Sequence, residues 1–282
     1  MIAITGATGH LGQLVINDLL KTVPASQLVA IVRNPAKADA LKQQGIVIRQ
    51  ADYADEAALT LALKDVEKLL LISSSEVGQR AIQHQNVINA AVAAGVQFIA
   101  YTSLLHADTS PLGLHNEHVI TEKALAASGI PYTLLRNGWY SENYLASAPA
   151  ALEHGVFIGA AGDGKIAAAT RADYAAAAAR VIREDGHAGN VYELAGDEAW
   201  TLNEFAAQLS AQSGKRVVYQ NLREADFAGA LKDVGLPAGL ADMLADSDTG
   251  ASKGGLFDDS HTLSKLIGRP TTPLAESINT IL

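Results

Sequence analysis

Three glycines at three-residue spacing, Gly6, Gly9 and Gly12, follow the apolar run Ile2–Ile4 and open the amphipathic stretch 11–21. Glycines placed this way between a strand and a helix do anion chemistry. The first allows a tight turn, the second lets backbone approach a pyrophosphate, and the third lets the helix pack against the strand. Ala7, Thr8, His10 and Leu11 complete the loop, whose N–H groups lie at the positive end of a helix dipole. A plain turn would also use glycine. The position after a first strand and before a helix favours a dinucleotide site.

The next chemistry-bearing position is the end of the second apolar run, which reads Val29-Ala-Ile-Val-Arg33-Asn34-Pro35. An Asp or Glu there would bind ribose hydroxyls, whereas an arginine suits a 2′-phosphate. Arg33, with Lys37 as a helper, therefore predicts NADP(H); a solvated strand end is the competing reading. Ser73, Ser74 and Ser75 follow the fourth apolar run and suit the ribose and nicotinamide side of the dinucleotide, with a simple turn as the alternative.

These groups need a parallel sheet to position them. Short Val/Ile/Leu-rich runs at 2–5, 28–32, 46–49, 69–72, 98–102 and 132–135 alternate with Ala-rich helical stretches. The runs lack polar alternation, as strands buried on both faces do. Six such alternations predict an α/β fold, a Rossmann-type doubly wound parallel sheet. After about residue 138 the rhythm changes. A helix is expected at 170–182, a strand at 191–194, a helix at 201–213 with a Thr201/Glu204 capping box, and a strand at 217–220. The polar, glycine-rich segment 242–259 reads as a mobile loop. The expected division is a dinucleotide-binding domain over 1–138 and a smaller mixed α/β substrate lobe over 139–282.

Composition narrows the function classes. The 282 residues are 49% hydrophobic and 18% charged, which argues against disorder. A net charge of −9 with no basic run disfavours nucleic acid. The absence of cysteine excludes disulfides, thiol nucleophiles and Cys-ligated metal. No apolar stretch approaches the roughly 20 residues of a membrane span. No basic leader precedes the first strand, so a cytoplasmic protein without membrane or nucleic-acid partners is expected.

The glycine loop, Arg33-Asn34-Pro35, Tyr101-Thr102-Ser103 and Leu135-Arg136-Asn137-Gly138-Trp139-Tyr140 together resemble the atypical short-chain dehydrogenases. That group includes isoflavone-reductase-like enzymes, triphenylmethane reductases and nitrogen-metabolite-repression regulators. The resemblance extends over essentially the whole chain and includes Thr170-Arg-Ala-Asp173. Segments 73–80, 101–112 and 136–151 are similar to quinone-reducing members. It implies NADPH-dependent reduction of a small-molecule quinone without flavin or metal. A non-catalytic NADP(H)-binding redox sensor and a triphenylmethane-dye reductase are the alternatives, and the oligomeric state is left open.

Asn137, Gly138, Trp139, Tyr140, Ser141 and Glu142 follow the sixth strand, where ligand loops gather, and are expected to touch the cofactor. Trp139, Tyr140 and Tyr144 would form an aromatic wall, or else core. Tyr140 and Asn143 are the candidate catalytic residues, acting by positioning. The Tyr-x-x-x-Lys pair of ordinary short-chain dehydrogenases is missing: Leu114 and His118 stand in its slots, and Ser103 lacks partners. Three further patterns read as coincidence. Gly250-Ala-Ser252-Lys-Gly254 lacks the strand that a nucleophile elbow needs. The segment 159–165 lacks the Ser/Thr of a P-loop. His115, His118 and Glu122 share a helix face but have no further metal ligand nearby.

Overall fold

The apolar runs become strands in a computed structural model that describes residues 1–282. The strands are β1 (Ile2–Ile4), β2 (Leu28–Val32), β3 (Val47–Gln50), β4 (Lys68–Leu71), β5 (Phe98–Leu104), β6 (Tyr132–Asn137), β7 (Val156–Gly159), β8 (Val191–Leu194) and β9 (Val218–Asn221), of which β7 was not expected. Seven form one sheet in the order β3-β2-β1-β4-β5-β6-β8, and β7 pairs with β9. The pairings β1–β2, β2–β3, β1–β4 and β4–β5 are parallel. This is the expected Rossmann-type sheet. The strand order reverses between β1 and β4, which opens a crevice at their carboxyl ends.

The first eight helices are α1 (His10–Leu19), α2 (Asp39–Gln43), α3 (Glu56–Ala62), α4 (Arg80–Ala94), α5 (His115–Ala127), α6 (Ser141–Leu145), α7 (Ala148–His154) and α8 (Arg171–Arg183). Side chains alternate across the sheet. Ala3, Val29, Ile31, Leu69, Leu71, Ile99 and Tyr101 pack with Leu59, Leu63, Val87 and Ala91 of the α3–α4 side. Their strand neighbours Ile4, Ala30, Leu70 and Ala100 are equally buried. They face the other layer, where α1 and α8 pack against each other.

The chain divides into two compact units that are interleaved in sequence. One comprises Met1–Leu104, Asn116–Arg136 and Arg171–Tyr192; the other comprises Leu105–His115, Asn137–Thr170 and Glu193–Leu282. Within the second, Thr201 Oγ1 accepts from Glu204 N while Glu204 Oε2 accepts from Thr201 N, which completes the capping box. Of the segment 242–259 expected to be a mobile loop, residues 242–252 are instead the second part of the helix Ala238–Ser252, and 253–259 are turn and coil. Two of its acidic residues are engaged with distant backbone. Asp246 accepts from Gly113 N at 2.7 Å, and Asp248 accepts from Ala160 N at 2.9 Å. Gly250 packs so closely on Leu112 that a Cβ would fall 2.7 Å from Leu112 Cδ1. No helix is long and apolar enough to cross a membrane.

Candidate active site

The glycine loop sits directly after β1. Gly6 has φ +59°, a conformation that favours glycine, and its carbonyl accepts from Gly9 N at 2.9 Å. Gly9 is the exposed N-cap of α1, in ordinary extended backbone, and Gln13 N donates to its carbonyl. The N–H groups of His10, Leu11 and Gly12 therefore precede the first helical bond and have no acceptor within α1. Ala7, Leu11 and Gly12 face inward, Thr8 is half-buried, and His10 is exposed. A Cβ on Gly12 would come within 2.8 Å of Ala7 Cα. Gly6 thus makes the turn and Gly12 the close packing contact, while Gly9 stands exposed at the head of α1.

Thr5 clamps the carboxyl ends of β1 and β4, because its Oγ1 accepts from Ile72 N at 3.0 Å. Beneath them Tyr53 donates to Ile72 O at 2.8 Å, and burial holds its phenol well above the ordinary pKa. Its place under Gly6 depends on strand adjacency and left no mark in the sequence pattern.

Ser73 and Ser74 extend from β4. Ser73 N donates to Thr102 Oγ1, and Ser74 N donates to His84 Nε2, each at 2.9 Å. An accepting Nε2 makes His84 the Nδ1–H tautomer, so its Nδ1 donates to Thr121 Oγ1 at 3.0 Å. Burial, helped by the nearby Arg80 charge, lowers the His84 pKa to about 3 and keeps the ring neutral. Ser75 is exposed, and its carbonyl accepts from Val77 N. Glu117 Oε1 accepts from Gly78 N and Arg80 N, at 3.0 and 3.1 Å. The serine turn is therefore fixed from below.

Arg33 reaches out at the end of β2 with a largely exposed guanidinium. No carboxylate follows it on β2, as expected. Two carboxylates from elsewhere nevertheless face it. Glu76 Oε1 accepts from Arg33 Nη1 at 2.6 Å, and Asp52 Oδ2 lies 4.0 Å from Arg33 Nε. Sequence reasoning missed both.

Of the residues in the slots of the absent Tyr–Lys pair, Leu114 is buried just before α5, and His118, on α5, is engaged elsewhere. His118 Nδ1 lies 2.7 Å from the Tyr101 hydroxyl, and burial lowers the His118 pKa to about 3. Ser103 Oγ donates to Glu122 Oε1 at 2.6 Å. Glu122 also accepts from Arg136 Nε and Nη2, at 3.0 and 2.7 Å, in a nearly buried bidentate pair. His115 Nδ1 lies 3.2 Å from Ala107 O. Each side chain of the apparent metal trio has a different partner.

The Asn137–Glu142 segment lies in the second unit, apart from Arg136 before it. Asn137 O accepts from Leu105 N and Gly138 N donates to Leu194 O, which ties the end of β6 to the segments on either side. Asn137 Oδ1 is buried without a hydrogen-bond partner. Trp139 O accepts from Ala169 N, and Ser141 N donates to Ala169 O. These bonds fix Tyr140 as the N-cap of α6. Tyr140, Glu142 and Asn143 are half-buried, whereas Trp139 and Ser141 are buried. Tyr144 does not continue the wall. It packs edge-on against Trp200 at 5.2 Å between ring centroids and tilted against Phe205 at 6.2 Å, in an aromatic core. Its hydroxyl lies 3.5 Å from Asp248 Oδ1, and burial raises the pKa of that carboxyl to about 6.

The two chance motifs resolve structurally. Ser252 ends a helix and donates to Thr249 O rather than topping a strand. The 159–165 loop is followed by no helix until Arg171.

The chain is 82% identical over 279 residues to quinone oxidoreductase 2 of Escherichia coli, covering 99% of this chain and 98% of that protein. The crystal structure of the E. coli NADPH-dependent quinone oxidoreductase complexed with NADPH superposes with a TM-score of 0.98. It is 81% identical and covers 100% of this chain and 99% of that one. The Citrobacter triphenylmethane reductase complexed with NADP(H) matches with a TM-score of 0.96 at 41% identity, covering both chains completely. The NmrA-like family profile matches residues 1–274, and the chain belongs to the NmrA-like family.

Proposed function

We propose that this protein reduces quinones to hydroquinones with NADPH, by direct hydride transfer and without flavin. The observation that carries this reading is the likeness, at 82% identity over nearly the full length, to the E. coli quinone oxidoreductase. The chain's own residues fit the cofactor. Gly9 presents open backbone, the first N–H groups of α1 offer donors to a pyrophosphate, and Arg33 offers a cation to a 2′-phosphate. Ser73, Ser74 and Ser75 supply short polar contacts on the ribose side, and residues 137–142 supply the rest. When bound, NADPH supplies the hydride.

What the protein lacks also matters for the acceptor. Ser103 is spent on Glu122, and His118 is a neutral ring tied to Tyr101. Neither can deliver a proton as the tyrosine of a ketone reductase does. A quinone needs little such help, because hydride addition gives a hydroquinone anion delocalised over the ring. Tyr140 and Asn143 then orient the acceptor, and water or Tyr140 protonates the product. Positioning is the main contribution of the protein. The setting we propose is the cytoplasm, with neither nucleic acid nor membrane as partner, in keeping with the acidic charge.

The test is NADPH oxidation by purified, flavin-free protein on addition of 1,4-benzoquinone. A primary isotope effect with C4-deuterated NADPH in single turnover is expected. No turnover with any quinone refutes the acceptor assignment. The likeness to the triphenylmethane reductase favours one second acceptor class, so triphenylmethane cations belong in the same assay.

A further inference from the structure

Arg33, the cation we assign to the 2′-phosphate, already holds an anion. Glu76 Oε1 accepts from its Nη1 at 2.6 Å, while Glu76 Oε2 accepts from Gln83 Nε2 at 2.7 Å. We propose that Glu76 occupies the 2′-phosphate position in the free protein, must yield it when NADPH binds, and so sets the affinity for 2′-phosphorylated dinucleotides. This rests on the NADPH reading above and adds a specificity-determining residue to it.

The local geometry supports a side-chain exchange rather than a loop opening. The backbone around Glu76 is tied down on both sides. Glu76 N donates to Ser74 Oγ at 3.1 Å, and Ser74 is held by His84 below and by the Arg80 guanidinium across the turn. Beyond Glu76, Gly78 N and Arg80 N both donate to Glu117. The Glu76 carboxylate and the Arg33 guanidinium, by contrast, are solvent-facing side chains at the ends of flexible stems. Gln83, on the first turns of α4, gives the displaced carboxylate a place to rest.

The exchange is one of anion for anion. A dianionic phosphate offers three acceptor oxygens and wins over a carboxylate at an arginine. It does so against two costs, the broken Arg33–Glu76 pair and the repulsion from a carboxylate left nearby. Asp52 adds a weaker contribution at 4.0 Å. A dinucleotide without the 2′-phosphate leaves the Arg33–Glu76 pair intact and incurs neither cost. Glu76 thus narrows the preference for NADPH over NADH and eases release of NADP⁺.

Glu76→Gln keeps the shape and removes the charge. Titration of the full-length protein with NADPH, NADH and adenosine 2′,5′-bisphosphate is the test. The variant should bind NADPH and the bisphosphate about two- to fivefold more tightly, the range expected for one exposed ion pair, with NADH unchanged. Unchanged or weaker NADPH binding overturns the proposal, and so does equal tightening of NADH. The underlying reading fails separately, if the unmodified protein binds NADH as tightly as NADPH.

Discussion

Substitutions at Gly9 and Gly12 should separate the two tasks of the glycine loop. Gly9 has φ −78° and ψ 166°, and a Cβ there meets only Gly6 O, at 3.2 Å. Alanine is a poorer N-cap than glycine, so Gly9→Ala should cost roughly 0.5–1 kcal/mol. That is about 1–4 °C in Tm for a chain of this size. Its methyl group, however, stands on the exposed face that a pyrophosphate must approach. Losing even one charge-assisted bond of roughly 1.5–3 kcal/mol weakens NADPH binding about ten- to hundredfold. Gly12 behaves oppositely. Its Cβ would lie 2.8 Å from Ala7 Cα and 3.0 Å from the Gly6 carbonyl carbon, backbone atoms that cannot rotate aside. Overpacking of this kind costs roughly 1–3 kcal/mol, or about 2–12 °C. Scanning calorimetry and NADPH titration on both variants give the comparison. If Gly9→Ala binds NADPH normally, or loses more Tm than Gly12→Ala, the division of labour is wrong.

Three further outcomes are expected. Arg33→Ala should weaken NADPH about five- to fiftyfold and leave NADH nearly unchanged. The range is one charge-assisted bond reduced by the Glu76 pair that no longer has to break; equal loss for both dinucleotides in calorimetry removes Arg33 from the phosphate site. Tyr140→Phe should lower kcat by less than about tenfold, short of the 10²–10⁴-fold typical of a lost general acid, whereas Asn143→Ala should lower kcat/KM; the reverse ranking in steady-state kinetics makes Tyr140 the acid. The carboxyl of Asp248, raised to about 6 chiefly by burial, titrates near 3.9 when unfolded, so the native state loses stability as pH rises through that window, by roughly 3 kcal/mol at most. Asp248→Asn should therefore raise Tm more at pH 8 than at pH 4.5, and an equal gain at both contradicts the shift. His84 and His118, lowered to about 3, act with the opposite sign below about pH 6.5. They are common to both proteins and cancel in that comparison.

The parts of the fold written in local patterns were legible in the sequence. β1 with its glycines and the central apolar strands follow from burial on both faces, β8 from a short apolar run at the sheet edge, and the Thr201/Glu204 box from a four-residue signature. The helix Ala238–Ser252 was not legible. Asp246 and Asp248 look like loop residues until their partners, the N–H groups of Gly113 and Ala160, are seen to lie about ninety or more positions away. The same holds at the site. Arg33 could be read from its strand position, but Glu76 comes from another strand's end, forty-three residues on. Tyr53 and the Ser103–Glu122–Arg136 group likewise exist only once strands lie side by side. Tyr144 looked like part of a ligand wall because its neighbours are Tyr140 and Asn143, and only the packing of Trp200 and Phe205 shows it to be core.

The packing of α8 on α1 has a consequence for how the chain is made. α1 buries Leu11, Val15, Ile16 and Leu19, and α8 buries Ala175, Ala178, Val181 and Ile182, with Arg183 Nη1 donating to Thr22 Oγ1 at 3.1 Å. Ribosomes add roughly 5–20 residues per second, so about ten to thirty seconds separate synthesis of the two helices. Throughout that interval the glycine-loop helix has one apolar flank without its partner. The long separation also raises contact order, which slows folding. A nascent chain arrested near residue 138 would carry the whole phosphate loop yet leave that flank open to chaperones and to aggregation, and it closes only after residue 183 has been made.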